Sequence, residues 1–262
     1  MKISDITNFL EAIAPLELQE SYDNAGLIVG DPETELSSCL VALDATPDIV
    51  QEAARNGHKL IVAHHPIVFK GLKKINGKNY VERAVIQAIK EDIAIYACHT
   101  NLDNVLQNGV NQKIAQRLDL HGLRILSTKS KEDPTIGSGI FGELPQSMEE
   151  KDFMEYVKDH MKTQVIRHTA LLGKPIQKVA ICGGAGSFLL EEAKKVDADV
   201  FITGDFKYHQ FFDADGQLII LDIGHYESEQ FTIDLLADLI NDKFTNFAAH
   251  CTKLNTNPVH YF

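Results

Sequence analysis

The sequence predicts an α/β protein built as two similar halves, each a layered sheet flanked by helices, with a cleft between them. Three observations predict it. Short apolar runs alternate with stretches of helical periodicity, which is the pattern of βαβ units. Most of these runs end in polar residues such as Asp44-Ala45-Thr46, His64-His65, His99 to Asp103, Gly204-Asp205 and Gly224-His225. Open α/β sheets place their ligands beyond such strand ends. A stretch that is polar and then rich in glycine, residues 127–143, separates the two patterns, so the expected units are residues 1–126 and 127–262.

The elements follow in order. Ile3, Ile6, Phe9, Leu10 and Ile13 have helical spacing, with Ser4 or Asp5 as cap and Pro15 as stop. Tyr22-Asp23-Asn24-Ala25-Gly26-Leu27 reads as a turn leading into a short apolar run closed by Gly30-Asp31-Pro32. Residues 39–43, 60–63 and 93–98 are strand candidates. Residues 47–56, 81–90 and 108–118 are helices, the first with Pro47 in its opening turn and Gly57 after its end. The second half repeats the alternation. Residues 149–160, 188–195 and 228–241 read as helices, and residues 165–172, 179–182, 200–203 and 218–222 as strands. A last strand packs down within residues 247–262.

Composition bounds the function. The 262 residues are 44% hydrophobic and 24% charged, ordinary for a globular protein. A core of this size stands without disulfide or metal, so a metal here would be functional. The net charge of −12 argues against duplex nucleic acid, whose binders need basic surface. A small anionic substrate responds to the local field of a pocket instead. Cys39, Cys98 and Cys182 lie in apolar runs and no C-x-x-C pair exists, so free thiols and a reducing cytoplasm are expected. The start of the chain has no signal-peptide pattern, and no apolar run approaches the ~20 residues of a membrane helix.

Three motifs carry chemistry. His64 and His65 end a buried strand at Pro66, and neighbours on an extended chain point to opposite sides, so each would hold one of two adjacent ions. Asp103 lies beyond the neighbouring strand, where an Asx turn over residues 101–104 is the plain alternative. His225 and Glu229 stand four apart at a helix start and share one face. Together they form a five-ligand set for two divalent ions, with Glu229 the natural bridge. Zinc, manganese, iron, cobalt and nickel all suit imidazole and carboxylate ligands. His99 is a candidate proton shuttle or an orienting group; Thr203, Gly204, Asp205 and His209 are candidates for the surrounding shell or substrate contacts. Gly183-Gly184-Ala185-Gly186-Ser187 follows a strand as phosphate loops do, but it lacks the P-loop lysine and reads better as a tight turn.

Four of these stretches, Tyr22 to Leu27, His64-His65-Pro66, Thr100-Asn101-Leu102-Asp103 and Gly224-His225 through Glu229, resemble the GTP cyclohydrolase I type 2 homologues, also called Ngg-interacting-factor-three-like proteins. The resemblance spans essentially the whole chain. It implies a dinuclear metal site in the cleft between two α/β halves. His65 and Asp103 would hold one ion, His64 and His225 the other, and Glu229 would bridge them. It also implies a homohexameric ring, a trimer of dimers, with the sites facing inward. Tyr22 stands where the family often has tryptophan, and Ile140 where it often has arginine. Residues 127–134 leave no room for the inserted middle domain of some members. The implied activity is metal-dependent hydrolysis: opening of the guanine ring of GTP at C8 with loss of formate, or cleavage of another nucleotide or phosphoester, with Glu229 and His99 as the catalytic candidates. The alternative is a non-enzymatic metal-binding or metal-delivery protein, or a ring-shaped interaction scaffold.

Overall fold

The computed structural model describes residues 1–262. In chain order the elements begin with α1 (Ile3–Ile13), β1 (Gly26–Val29), β2 (Ser38–Asp44), α2 (Pro47–Arg55), β3 (Leu60–His65), α3 (Tyr80–Lys90) and β4 (Ala94–Ala97). There follow α4 (Thr100–Asp103), α5 (Val110–Arg117), β5 (His121–Thr128), β6 (Gly137–Met148), α6 (Glu150–Met161), β7 (Arg167–His168) and β8 (Ile176–Ala185). The remainder is α7 (Leu190–Lys195), β9 (Val200–Gly204), β10 (Ile219–Asp222), α8 (His225–Glu229), α9 (Thr232–Lys243) and β11 (Ala248–Cys251). These form two compact units, Met1–Leu102 with Thr232–Pro258, and Asp103–Phe231 with Val259–Phe262. The boundary expected between residues 126 and 127 falls inside β5, and α9 and β11 join the first unit.

The first unit holds a five-stranded sheet in the order β1-β4-β3-β2-β11. All pairings are parallel except that of the edge strand β1 with β4. Strands buried on both faces read as continuous apolar runs, and Cys39 to Leu43 and Leu60 to Ala63 do so. Thr46 caps α2 with Pro47 at its first turn, and Asn79 caps α3 by accepting from Glu82 N at 2.9 Å. Ile49, Val50 and Ala53 of α2 and Ala84, Val85 and Ala88 of α3 pack with Leu40, Ala42, Ile61, Ala63 and Ile95 of the sheet. Each buried Val, Leu or Ile side chain there contributes roughly 1.5–3 kcal/mol before entropy is counted. The strand carrying the histidines runs two residues further than its apolar stretch, and the β2–β3 register sets Asp44 opposite His65. β11 lies parallel to β2, with Ala249 opposite Cys39, and Asn241 of α9 holds both the N–H and the carbonyl of Ala249.

The second unit holds a six-stranded mixed sheet in the order β5-β6-β8-β9-β10-β7. β8, β9 and β10 are parallel, whereas β5, β6 and β7 pair antiparallel. The glycine-rich stretch read as a boundary is the β5–β6 hairpin. Its glycines serve close approach: a Cβ at Gly137 would lie 2.2 Å from Ser127 O, and one at Gly139 2.7 Å from Leu189 Cδ1. The strand expected over residues 165–172 shrinks to the two residues of β7, and the helix expected over 228–241 divides into α8 and α9. Ala180, Phe201 and Ile220 of the sheet pack with Leu189, Leu190, Ala193 and Phe206. No helix of the chain is long and apolar enough to cross a membrane.

Candidate metal centre

In the first unit, three imidazoles gather beyond the sheet. The ring centroids of His64 and His65 lie 4.9 Å apart, and that of His99, just past β4, lies 5.3 Å from His64 and 5.4 Å from His65. Their ligand nitrogens all fall within 4.8 Å of one another. Strand alternation predicts that His64 and His65 diverge. The two ring centroids stay within 4.9 Å nonetheless.

Each ring is held at Nδ1. His64 Nδ1–H donates to Cys98 O at 2.8 Å, His65 to Asp44 Oδ1 at 2.8 Å, and His99 to Asp23 Oδ1 at 2.7 Å. Asp23 comes from the polar turn before β1, so that turn orients His99. Its carboxylate also accepts from Thr100 N at 3.1 Å and from Thr100 Oγ1. Burial pushes the Asp23 carboxyl up, but the hydrogen bonds from His99 and Thr100 outweigh it and bring its pKa down to about 2. Asn24 Nδ2 donates to Val68 O at 2.6 Å and ties the same turn to the segment after His65. Burial likewise opposes ionisation of Asp44, yet the His65 contact and a hydrogen bond from Thr256 leave its pKa lowered.

In the second unit, Gly224, at a φ of 97°, delivers His225 to the start of α8. His225 Nδ1 lies 2.8 Å from Asp205 Oδ2, and Nε2 lies 3.1 Å from Glu229 Oε2. Burial works against charge on this ring, but the hydrogen bonds to Asp205 and Glu229 and their charges raise its pKa to about 11. Two carboxylates facing one imidazole concentrate negative charge there, which suits a cation. Glu229 is itself buried and needs glycine beside it. A Cβ on Gly184 would lie 2.4 Å from Glu229 Oε1, and one on Gly183 3.4 Å from Glu229 Cγ.

Asp103 closes α4, so the Asx turn considered for residues 101–104 is a helical turn. Asn101 instead accepts from His99 N at 2.9 Å and donates to Ala14 O at 2.7 Å. Asn111, which the sequence reading did not single out, donates to Asp103 O at 3.1 Å and accepts from Gly183 N at 2.9 Å. Burial raises the Cys182 thiol, and the charges of Asp103 and Glu229 raise it further.

The glycine-rich loop is not arranged as a phosphate cradle. Gly183 N, Gly184 N and Gly186 N donate to Asn111, Ser228 and Thr203 side chains, each at 2.9 Å. Thr203 thus acts as a loop brace, while His209 meets Tyr208 edge-on and stacks with Phe212 in a turn with exposed aromatic rings. Ile140 is buried in β6 opposite Ile181.

The donor set fits a metal. All four histidines spend Nδ1 on a carboxylate or carbonyl, as metal-binding histidines do; at His64, His65 and His99 this leaves Nε2 as the basic ring atom, while His225 Nε2 faces Glu229. Asp44, Asp23 and Asn111 are the supporting residues that sequence reasoning missed. Asp44 carried a signal as the polar end of its strand and Asp23 as part of the Tyr22 to Leu27 stretch, whereas Asn111 carried none.

The profile of the Duf34/NIF3 (NGG1p interacting factor 3) family matches residues 1–258. The chain belongs to this family. A relative from Clostridium perfringens named GTP cyclohydrolase 1 type 2 homolog is 38% identical over 87% of each chain. One of the same name from Campylobacter jejuni is 36% identical over 92% of this chain and 93% of its own. The solved Staphylococcus aureus protein SA1388 matches with a TM-score of 0.91 at 28% identity over 100% of this chain and 99% of that one. A Bacillus cereus protein related to NIF3 shares the fold, with a TM-score of 0.92 at 24% identity over 100% and 99%.

Proposed function

We propose that this NIF3-family protein is a dinuclear-metal-dependent hydrolase acting on a nucleotide or another phosphoester, with GTP cyclohydrolase-like opening of the guanine ring as its leading form. The observation that carries the reading is the uniform hold on the histidines: His64, His65, His99 and His225 each have Nδ1 tied to an acceptor, and Glu229 meets His225 Nε2 at 3.1 Å. His64, His65, Asp103, His225 and Glu229 would hold two divalent ions, with Glu229 shared between them. Ions bound in this way supply Lewis acidity and bring the pKa of water toward ~7. The chain's own residues do the rest. Asp44 and Asp205 orient His65 and His225. Asp23 keeps the His99 proton on Nδ1 and orients the ring, so Nε2 would be the atom that accepts and returns a proton. As in its family resemblance, the protein would assemble as a homohexamer.

The test compares Glu229→Gln with His99→Gln. Glu229→Gln keeps the volume but removes the charge that offsets repulsion between two cations. It is expected to lose most of one ion and all turnover of GTP and of a phosphoester panel. His99→Gln is expected to keep both ions and lose turnover. Metal content after zinc or manganese loading and dialysis, with circular dichroism for folding, reads the outcome. Two tightly held ions in Glu229→Gln would refute the bridging role. Full metal occupancy in the wild type without turnover of any substrate would favour a metal-binding or metal-delivery protein.

A further inference from the structure

Asp44 is held at both oxygens. Oδ1 accepts from His65 Nδ1 at 2.8 Å, and Oδ2 accepts from Thr256 Oγ1 at 2.5 Å. Thr256 arrives from the segment that follows β11, 212 positions along the chain from Asp44. That segment is itself fixed. Thr252 N donates to Val41 O at 2.9 Å, Lys253 N to Glu52 Oε1 at 3.1 Å, and Leu254 N to Thr252 Oγ1 at 3.1 Å. Thr252 Oγ1 donates to the other oxygen of Glu52, and Asn257 N closes on Asn255 Oδ1 at 2.8 Å. The bonds on either side of Thr256 therefore present its hydroxyl at one place.

We propose that Thr256 is a positioning residue for the His65 imidazole, acting through Asp44. A carboxylate turns readily about its last torsion, for which there is no sharp rotamer preference. One contact, from His65 alone, leaves that rotation open. The second contact, from Thr256, fixes the carboxylate plane, and with it the ring direction and the Nδ1–H tautomer of His65. The segment after β11 is thereby part of the apparatus that aims His65 Nε2. This rests on the reading of His65 as a metal ligand.

The experiment uses the full chain with zinc as the probe, and Thr256→Val, Thr256→Ser, Asp44→Asn and the double variant Asp44→Asn with Thr256→Val. Competition with a chromogenic chelator gives the affinities. Long-range nitrogen–proton spectra of the imidazoles in metal-free protein give the His65 tautomer, and circular dichroism checks folding. In Thr256→Val the affinity of one zinc is expected to fall by about 10-fold, the low end for groups behind a ligand, while the other zinc is unchanged. Its His65 is expected to change from a single Nδ1–H tautomer to a mixture. Thr256→Ser, which keeps the hydroxyl, is expected to restore both. In the Asp44→Asn background Thr256→Val is expected to add nothing. A folded Thr256→Val with wild-type affinity and a wild-type His65 spectrum overturns the proposal, as does a loss that adds fully to that of Asp44→Asn. Should the valine variant fail to fold, Thr256→Ala carries the same comparison. If the wild type takes up no zinc, the ligand reading of His65 fails, while the spectra still decide whether Thr256 sets the ring.

Discussion

Asp23 governs His99 although 76 positions separate them. Its side chain is fully buried, and its pKa of about 2 lies below the ordinary carboxylate value. A depressed folded-state pKa contributes stability that is present above the unfolded value near ~4 and is lost as the pH falls through the folded value. A shift of this size corresponds to about 2 kcal/mol. Asp23→Asn is therefore expected to unfold at lower urea concentration than the wild type at pH 7, by about 2 kcal/mol in extrapolated stability, and the gap should narrow steadily from about pH 5 to pH 2. A gap independent of pH over that range would mean that the carboxylate's ionisation is not what the fold uses.

At the scale of elements, β8 and the turn after it meet α8 at glycine. Gly184 has a φ of +64°, and a Cβ there would collide with Glu229 Oε1. Gly57, after α2, has a φ of +75° but nothing within 4 Å of its Cβ position. Both positions resist alanine through backbone strain, which costs of order 1–3 kcal/mol. Only Gly184→Ala must also displace a candidate ligand. Gly184→Ala is expected to lower stability and weaken zinc binding, whereas Gly57→Ala lowers stability alone. Calorimetric titration of both with zinc checks this, and equal zinc affinity in the two would remove Gly184 from any role at Glu229.

At the scale of the molecule, the chain carries a formal charge of −12. Copies of it repel one another, and salt screens that repulsion over a Debye length of about 8 Å at physiological ionic strength. If the protein is a hexamer, light scattering at micromolar concentration should give six chains at about 0.15 M salt, with dissociation promoted by dilution at low salt. A monomer under both conditions would contradict the assembly.

By itself the sequence determined the family, the α/β alternation and the ligand candidates. These are local signals: apolar runs that stop at His64-His65, at His99 or at Gly224-His225, and the four-residue spacing that sets Glu229 beside His225. The second half of the chain was less legible. The glycines of residues 137–142 read as a boundary, yet they permit close contacts in the β5–β6 hairpin, and a close approach is a property of the partner strand. β11 read as the end of the second half, but its parallel pairing with β2 places it in the first unit. Which group each support of the candidate centre reaches is decided by the tertiary structure alone. Asp23 reaches His99, Asp44 reaches His65 and Thr256 reaches Asp44 only once the strands stand in the order β1-β4-β3-β2-β11. A hydrogen bond between residues tens or hundreds of positions apart leaves no periodicity or spacing in the chain, because what creates it is the lateral order of strands in the sheet.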